Sequence, residues 1–284
     1  MVHDGESLKS ISQRLYQTGL ISSERLFRWG MLLNRRSREF KVGDYFISAR
    51  QSPYDIAHLL MTTQCDNQKI TIPEGLTNYQ VFQLLKSKAF LKDDHADIPP
   101  EGMMYPETYI FAKGTKISRV VEEMVHNMRE SLQDLWGKRQ KDLPLKSPEE
   151  ALILASIVER EASFNSEKPK IAGVYINRLN RRMALQADPT VIYCVTDGTG
   201  NLGRTLIKSD MSCEGKFNTY THKGLPPTPI SNPSLASLKA VLIHPEKTDA
   251  LYFVADGRGG HRFSKNYKTH RQNIRKLKRH LKKR

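Results

Sequence analysis

Leu8, Ile11, Leu15 and Leu20 recur at near-helical spacing, so residues 7–20 predict a short amphipathic helix. A second helix is predicted from Ser22-Ser23-Glu24 through Phe27, Met31 and Leu32. Phe40 to Ile47 reads as a strand, with Gly43-Asp44 as a bulge or turn. Ser52-Pro53 is a helix start, serine as cap and proline at the first helical position, ahead of Ile56, Leu59 and Leu60. Lys69–Ile72 reads as a strand stopped by Pro73-Glu74-Gly75, after which Thr77 or Asn78 caps a helix over Tyr79–Leu85. Short helices and strands joined by tight turns predict an α+β module or pair of modules here.

The pattern lengthens beyond a loop rich in Asp and Pro, Asp93–Gly102. Tyr105–Phe111 is extended, and a long helix follows with Ile117, Val120, Val121, Met124, Met128, Leu132 and Leu135 on one side. Lys138–Lys146 is a polar linker. Ser147-Pro148-Glu149-Glu150 is the strongest helix start in the chain: serine caps, proline takes the first position, and Glu150 closes a capping box. That helix runs from Ala151 to about Ala162, and residues 170–180 predict another. The β-branched run Thr190–Val195 after Asp188-Pro189 predicts a strand, followed by a Gly-rich turn. From Asn218 to Pro229 the chain is extended and Pro-rich, with Pro226 and Pro227 shaping a rigid wall. Ser234–Ile243 predicts a helix, and Leu251–Val254 a strand that turns at Asp256-Gly257 and Gly259-Gly260 into His261-Arg262-Phe263. No internal repeat is present. The expected organisation is α+β, with small modules over 1–100 and a larger mixed α/β domain over 101–284 that ends in a basic helix.

Composition adds three constraints. The formal charge is +15, from 45 Lys+Arg against 30 Asp+Glu, which suits an anionic partner or marks a solvated basic tail. In that tail, Lys265–Arg284, Ile274, Leu277 and Leu281 fall at helical spacing. Cys65, Cys194 and Cys213 match no zinc pattern. Cys194 and Cys213 are either a disulfide of an exported protein or free thiols, and Cys65 is left over. No apolar run is long enough to span a bilayer, and no signal-peptide pattern follows Met1.

One helix carries candidate chemistry. At about 100° per residue, Leu154, Ile157 and Val158 form an apolar stripe, and Glu161 projects from its middle. Glu159 points nearly opposite, beside Ala155 and Leu152. A carboxyl on an apolar stripe loses water, and its pKa rises. A glutamic acid still protonated near neutral pH can hand a proton to a leaving oxygen, which glycosidic cleavage requires. The alternative is a solvated helix-end residue, or one paired with an arginine such as Arg178.

Five blocks stand in register: LILASIVEREA, VYINRL, LQADPTVIY, FNTYTHKGLPPTPI and LYFVADGRGGHRF, preceded by KITIPEG and EGMMYPETYIF. Together they resemble the endolytic murein transglycosylase family, the MltG or YceG-like proteins, from about residue 5 to 275. The resemblance implies cleavage of nascent peptidoglycan strands between N-acetylmuramic acid and N-acetylglucosamine, leaving 1,6-anhydro-muramyl ends. It also implies a LysM-like module ahead of the catalytic domain. A single N-terminal helix outside this chain would anchor the protein at the cytoplasmic membrane, with the catalytic domain on the outer side. Peptidoglycan strands, and with them cell-wall synthases, are the implied partners; nucleic acid is not among them. The family's catalytic glutamate carries over to Glu161, with Glu159 the alternative. Gln186, Asp188, Asn218, Tyr220 and Glu107 are candidates for stabilising the charge that develops on the sugar. Each has a plainer reading as a turn, loop or surface residue. No cofactor or metal is implied: there is no HExxH and no Cys/His cluster. Cys194 and Cys213 stand where family cysteines are not expected, and if paired would pin the loop beside the cleft. Two other classes remain in view, a glycan-binding protein without catalysis and, on charge alone, a nucleic-acid-binding protein.

Overall fold

A computed structural model gives the fold and describes residues 2, 5–33, 40–41, 43, 45, 47, 51–62 and 67–281. Helices dominate, and the strands form two small antiparallel pairs, so the fold is α+β. The chain packs as two compact units. The first holds Met1–Thr71, Lys88–Asp93 and Thr108–Lys116; the second holds Ile72–Ser87, Asp94–Glu107 and Ile117–Arg284.

In the first unit, α1 (Leu8–Gln17), α2 (Glu24–Leu33) and α3 (Pro53–Thr62) bury Ile11, Leu15, Phe27, Met31, Ile56 and Leu60 in one core. Ser7 caps α1. Ser52 Oγ accepts from the Asp55 N–H at 3.2 Å and Asp55 returns a bond from the Ser52 N–H at 3.0 Å, as the Ser-Pro start predicts. The predicted strand over Phe40–Ile47 falls partly outside the described residues, as do Asp44 and Cys65. Gly43 within it forms an antiparallel bridge with Val2. β1 (Asn67–Thr71) pairs antiparallel with β2 (Thr108–Ala112), Ile70 opposite Tyr109.

The second unit is built around one helix. α4 (Asn78–Lys86) opens with a full capping box between Thr77 and Gln80. α5 (Ile117–Gly137) buries every member of its predicted apolar stripe. α6 (Pro148–Glu161) is enclosed by α5, α7 (Lys168–Asn180), α8 (Asp188–Thr196) and α9 (Leu235–Leu242), so that every side chain from Ala151 to Val158 is buried. The Ser147 cap of α6 forms, its Oγ accepting from the Glu150 N–H, but the expected capping box does not close. The Glu150 carboxylate reaches one residue further back, to the Lys146 N–H. Gly173 lets α7 run close to the chain at Glu246, whose carbonyl would lie 2.3 Å from a Cβ there. The chain ends in a hairpin, β3 (Tyr252–Ala255) with β4 (His261–Ser264), covered by α10 (Tyr267–Leu281).

The predicted strand at Thr190–Val195 is a correction: those residues belong to α8. Asp188 and Pro189 supply an acidic first turn and a fixed backbone angle, both helix-start signals. Buried Thr190 and Val191 pay no penalty against a core that accepts them, and packing overrides β propensity over so short a run.

Candidate active site

The last turn of α6 leaves the core carrying two carboxylates with opposite fates. Glu161 is half-buried, and its Oε1 accepts a hydrogen bond from the Tyr175 hydroxyl at 2.8 Å. Tyr175 comes from α7, is 1% exposed, and packs edge-on against Phe253 of β3. Burial is the main force on the Glu161 carboxyl and pushes its pKa up to about 7. The Tyr175 bond and the nearby Arg178 cation pull it down, while the Asp188 carboxylate pushes it up. Glu161 is thus an acid poised near neutrality, with one oxygen occupied by a donor and the other free of it.

Glu159 is the reverse case. Its burial also opposes ionisation, but the Ser234 and Ser237 hydroxyls, the Ser234 N–H and the Lys168 ammonium outweigh it and hold the pKa below the usual value. Lys168 Nζ lies 2.9 and 3.1 Å from the two carboxylate oxygens, Ser234 N at 2.9 Å and Ser237 Oγ at 2.7 Å from Oε2. Ser234 also caps α9 and Lys168 opens α7, so this anion joins three helices. Protein groups take the place of water around it and favour its ionised form.

Three of the five supporting candidates gather around Glu161 through two hubs. Asp188 sits at the start of α8 and accepts from the Tyr220 hydroxyl at 2.6 Å. Burial first, and then this bond, raise the Tyr220 pKa, so the phenol stays protonated. Gln186 adopts φ +51, costly for a residue other than glycine, on the order of 1–3 kcal/mol. Its N–H bonds to the Thr219 carbonyl at 3.1 Å, and its side-chain oxygen lies 3.4 Å from Arg178. Arg178 is the second hub. It is buried, and its guanidinium bonds to the carbonyls of Leu251 at 2.6 Å, Leu185 at 2.7 Å and Ala184 at 3.2 Å.

The other two lie elsewhere in function or in space. Asn218 is fully buried and spends its amide on the carbonyls of Met211 and Cys213 and its oxygen on the Tyr220 N–H. It shapes the loop that presents Tyr220. Glu107 is exposed, its carbonyl accepting from Ile72, and its charge acts with that of Glu74 on Tyr105.

Cys194 and Cys213 are joined as a disulfide with Cα atoms 6.5 Å apart. The bond ties α8 to the end of the 197–213 loop, and Gly215 is required beside it, since a Cβ there would lie 2.7 Å from the Cys194 sulfur. Sequence reasoning missed the part played by Tyr175, which lies within the helix predicted over 170–180, and missed the Lys168–Ser234–Ser237 cage. No local pattern marks either, because the partners come from 9 to 78 residues away and from other helices. Arg178 was visible only as one conceivable partner of Glu161.

A carboxyl that titrates at about 7 at the end of α6, with a phenol on one oxygen and a cation nearby, can give a proton and take one back near neutral pH. Among the described residues no group of three or more His, Cys, Asp or Glu side chains could hold a metal, and no helix is long and apolar enough to cross a membrane. The YceG-like family matches residues 1–276, and the chain belongs to that family. It is 29% identical over 301 residues to the endolytic murein transglycosylase of Bacillus subtilis (strain 168), covering 95% of this chain and 81% of the relative. It is 27% identical over 322 residues to the protein of the same name from Streptococcus pneumoniae serotype 2, where it spans 96% of this chain but 57% of the relative. The crystal structure of a yceG-like protein from Listeria monocytogenes superposes with a TM-score of 0.60 at 30% identity, covering 95% of this chain and 96% of that one.

Proposed function

We propose that this protein is an endolytic lytic transglycosylase that cleaves peptidoglycan glycan strands between N-acetylmuramic acid and N-acetylglucosamine, with Glu161 as its acid and then its base. The observation that carries this reading is the Glu161 carboxyl, protonated up to about pH 7 at the end of a buried helix. The names of the Bacillus and Streptococcus relatives point the same way. Because Tyr175 occupies Oε1, the proton resides on Oε2. Glu161 gives that proton to the bridging oxygen as the bond from the anomeric carbon breaks. The carboxylate left behind takes the proton from the sugar's own 6-hydroxyl, whose oxygen attacks the anomeric carbon and closes the 1,6-anhydro ring. The proton count closes without water, and one residue serves both steps. Arg178 stabilises the carboxylate formed midway, and Asp188 offers negative charge toward the developing oxocarbenium ion.

The disulfide supports work on the extracytoplasmic side, where such bonds persist. The order bridge, α1, α2, bridge around Val2 and Gly43 supports a LysM-like reading of the first unit's N-terminal part. All the proposed catalytic groups lie within 101–284, the expected catalytic region.

Mass spectrometry of uncrosslinked glycan strands after incubation with the protein tests the reaction. New 1,6-anhydro-muramyl ends are expected. Ordinary reducing ends would make it a hydrolase, and binding without cleavage would make it a glycan-binding protein. Tyr175→Phe supplies a finer check, because it removes the hydrogen bond that lowers the Glu161 pKa. The alkaline limb of kcat/KM is expected to move up by about one pH unit. A limb that stays in place would mean that Tyr175 does not tune the acid.

A further inference from the structure

The positive charge of this protein is a local device. Residues 257–284 hold twelve Lys or Arg and no Asp or Glu, so of the net +15 the preceding 256 residues carry only +3. Most of the described part of this segment is α10. Along it Lys268, Arg271, Arg275, Lys278 and Arg279 recur at three- and four-residue intervals, which places the five cations on one side of the helix. All five are exposed, and among the described residues none is in an ion pair. Arg271 with Arg275, and Arg275 with Arg279, are like charges one turn apart, which repel and weaken an isolated helix. An external anion laid along that side would relieve the repulsion. Exposed apolar groups stand at its two ends, Tyr267 at 60% and Leu281 at 56% exposure. Basic stripe and apolar flank together suit a headgroup layer better than a purely ionic polymer.

We propose that the basic side of α10 docks this protein onto the surface of an anionic lipid bilayer. The choice of lipid over nucleic acid rests on the extracytoplasmic reading above; the charge pattern does not depend on it. The docking helix and the acid share one hairpin. Tyr252 of β3 stacks on His270 of α10 at 5.1 Å, and the next residue, Phe253, packs edge-on against Tyr175, which holds Glu161. On the other strand, His261 of β4 bonds to Glu167, six residues after Glu161, through Nδ1 at 2.7 Å and its N–H at 2.9 Å. Docking at α10 therefore fixes the orientation of Glu161 relative to the bilayer, where strands still close to their lipid-linked origin would be presented to it.

Co-sedimentation of the full chain with vesicles tests this. Binding is expected to phosphatidylcholine vesicles containing phosphatidylglycerol, absent with phosphatidylcholine alone, and weakened by salt. At about fivefold per basic residue, the triple variant Arg271→Gln/Arg275→Gln/Arg279→Gln is expected to bind on the order of 100-fold more weakly, and the corresponding Glu variant more weakly still. Both should cleave soluble glycan strands like wild type, which also reports that they fold. Equal binding to both vesicle types, no binding to either, or tight binding of soluble polyphosphate without vesicle binding would each overturn the proposal. None of these outcomes depends on whether the protein cleaves glycan.

Discussion

Glu161→Gln is expected to lower the rate of anhydro-muramyl end formation by roughly 10³-fold or more, since it removes acid and base together. The same substitution should make the protein more stable at neutral pH. The folded state holds the Glu161 pKa at about 7, against 4.5 for the free side chain. The preference for the protonated form is therefore fully present below pH 4.5 and is lost as pH rises through about 7, where the folded protein must ionise a buried carboxyl. Glutamine never ionises, so position 161 contributes no pH dependence to the variant's stability across that window. Discounted for partial exposure, the gain above pH 7 is roughly 1–3 kcal/mol. Thermal unfolding of both proteins at pH 4.5 and pH 8 reads it out: the melting difference should open with pH. Full activity in the variant, or a difference constant with pH, would remove Glu161 from the acid's role.

Lys168→Met is expected to destabilise the protein by about 3–5 kcal/mol at neutral pH, because it leaves the Glu159 anion buried without its cation. The surviving serine bonds place the effect toward the lower end. The double variant Lys168→Met/Glu159→Leu should recover much of the loss, since removing both charges is far cheaper than orphaning one. The linkage sign here is opposite to that of Glu161. Glu159 titrates below its usual value, so its contribution is present above pH 4.5 and lost as pH falls through the folded pKa. Denaturant unfolding of the two variants measures the coupling. A Lys168→Met protein as stable as wild type would mean that the cage carries no net charge energy.

The sequence made the helices legible where caps and stripes agreed, as at Ser147-Pro148 and along the α5 stripe. The apolar stripe read for Glu161 does not single it out, because α6 is buried on every side from Ala151 to Val158 and the Glu159 side chain is buried as well. It could not distinguish the fates of Glu159 and Glu161. That difference comes from Ser234 and Ser237 of α9 and from Tyr175 of α7, and no spacing rule relates residues brought together by tertiary packing. α8 was misread for the same reason: Thr190–Val195 has the composition of a strand, and only the fit against α6 decides otherwise. The candidates divide in an instructive way. Asp188, Gln186 and Tyr220 meet through the Arg178 and Tyr220 bonds, whereas Asn218, equally polar and next to them in sequence, is consumed by its own loop.

Arg178 holds its place by grasping main-chain carbonyls at Leu251, Leu185 and Ala184. A carbonyl is supplied by every residue type, so the cation itself asks for backbone placement at those three positions, and the buried side chains of Leu185 and Leu251 hold that placement through the core. In a library of random variants, the positive charge beside Glu161 should thus be lost by any uncharged replacement at codon 178 and survive those apolar replacements at 185 and 251 that keep the core filled. The field at Glu161 would in this way depend on where the main chain runs more than on which side chains it carries.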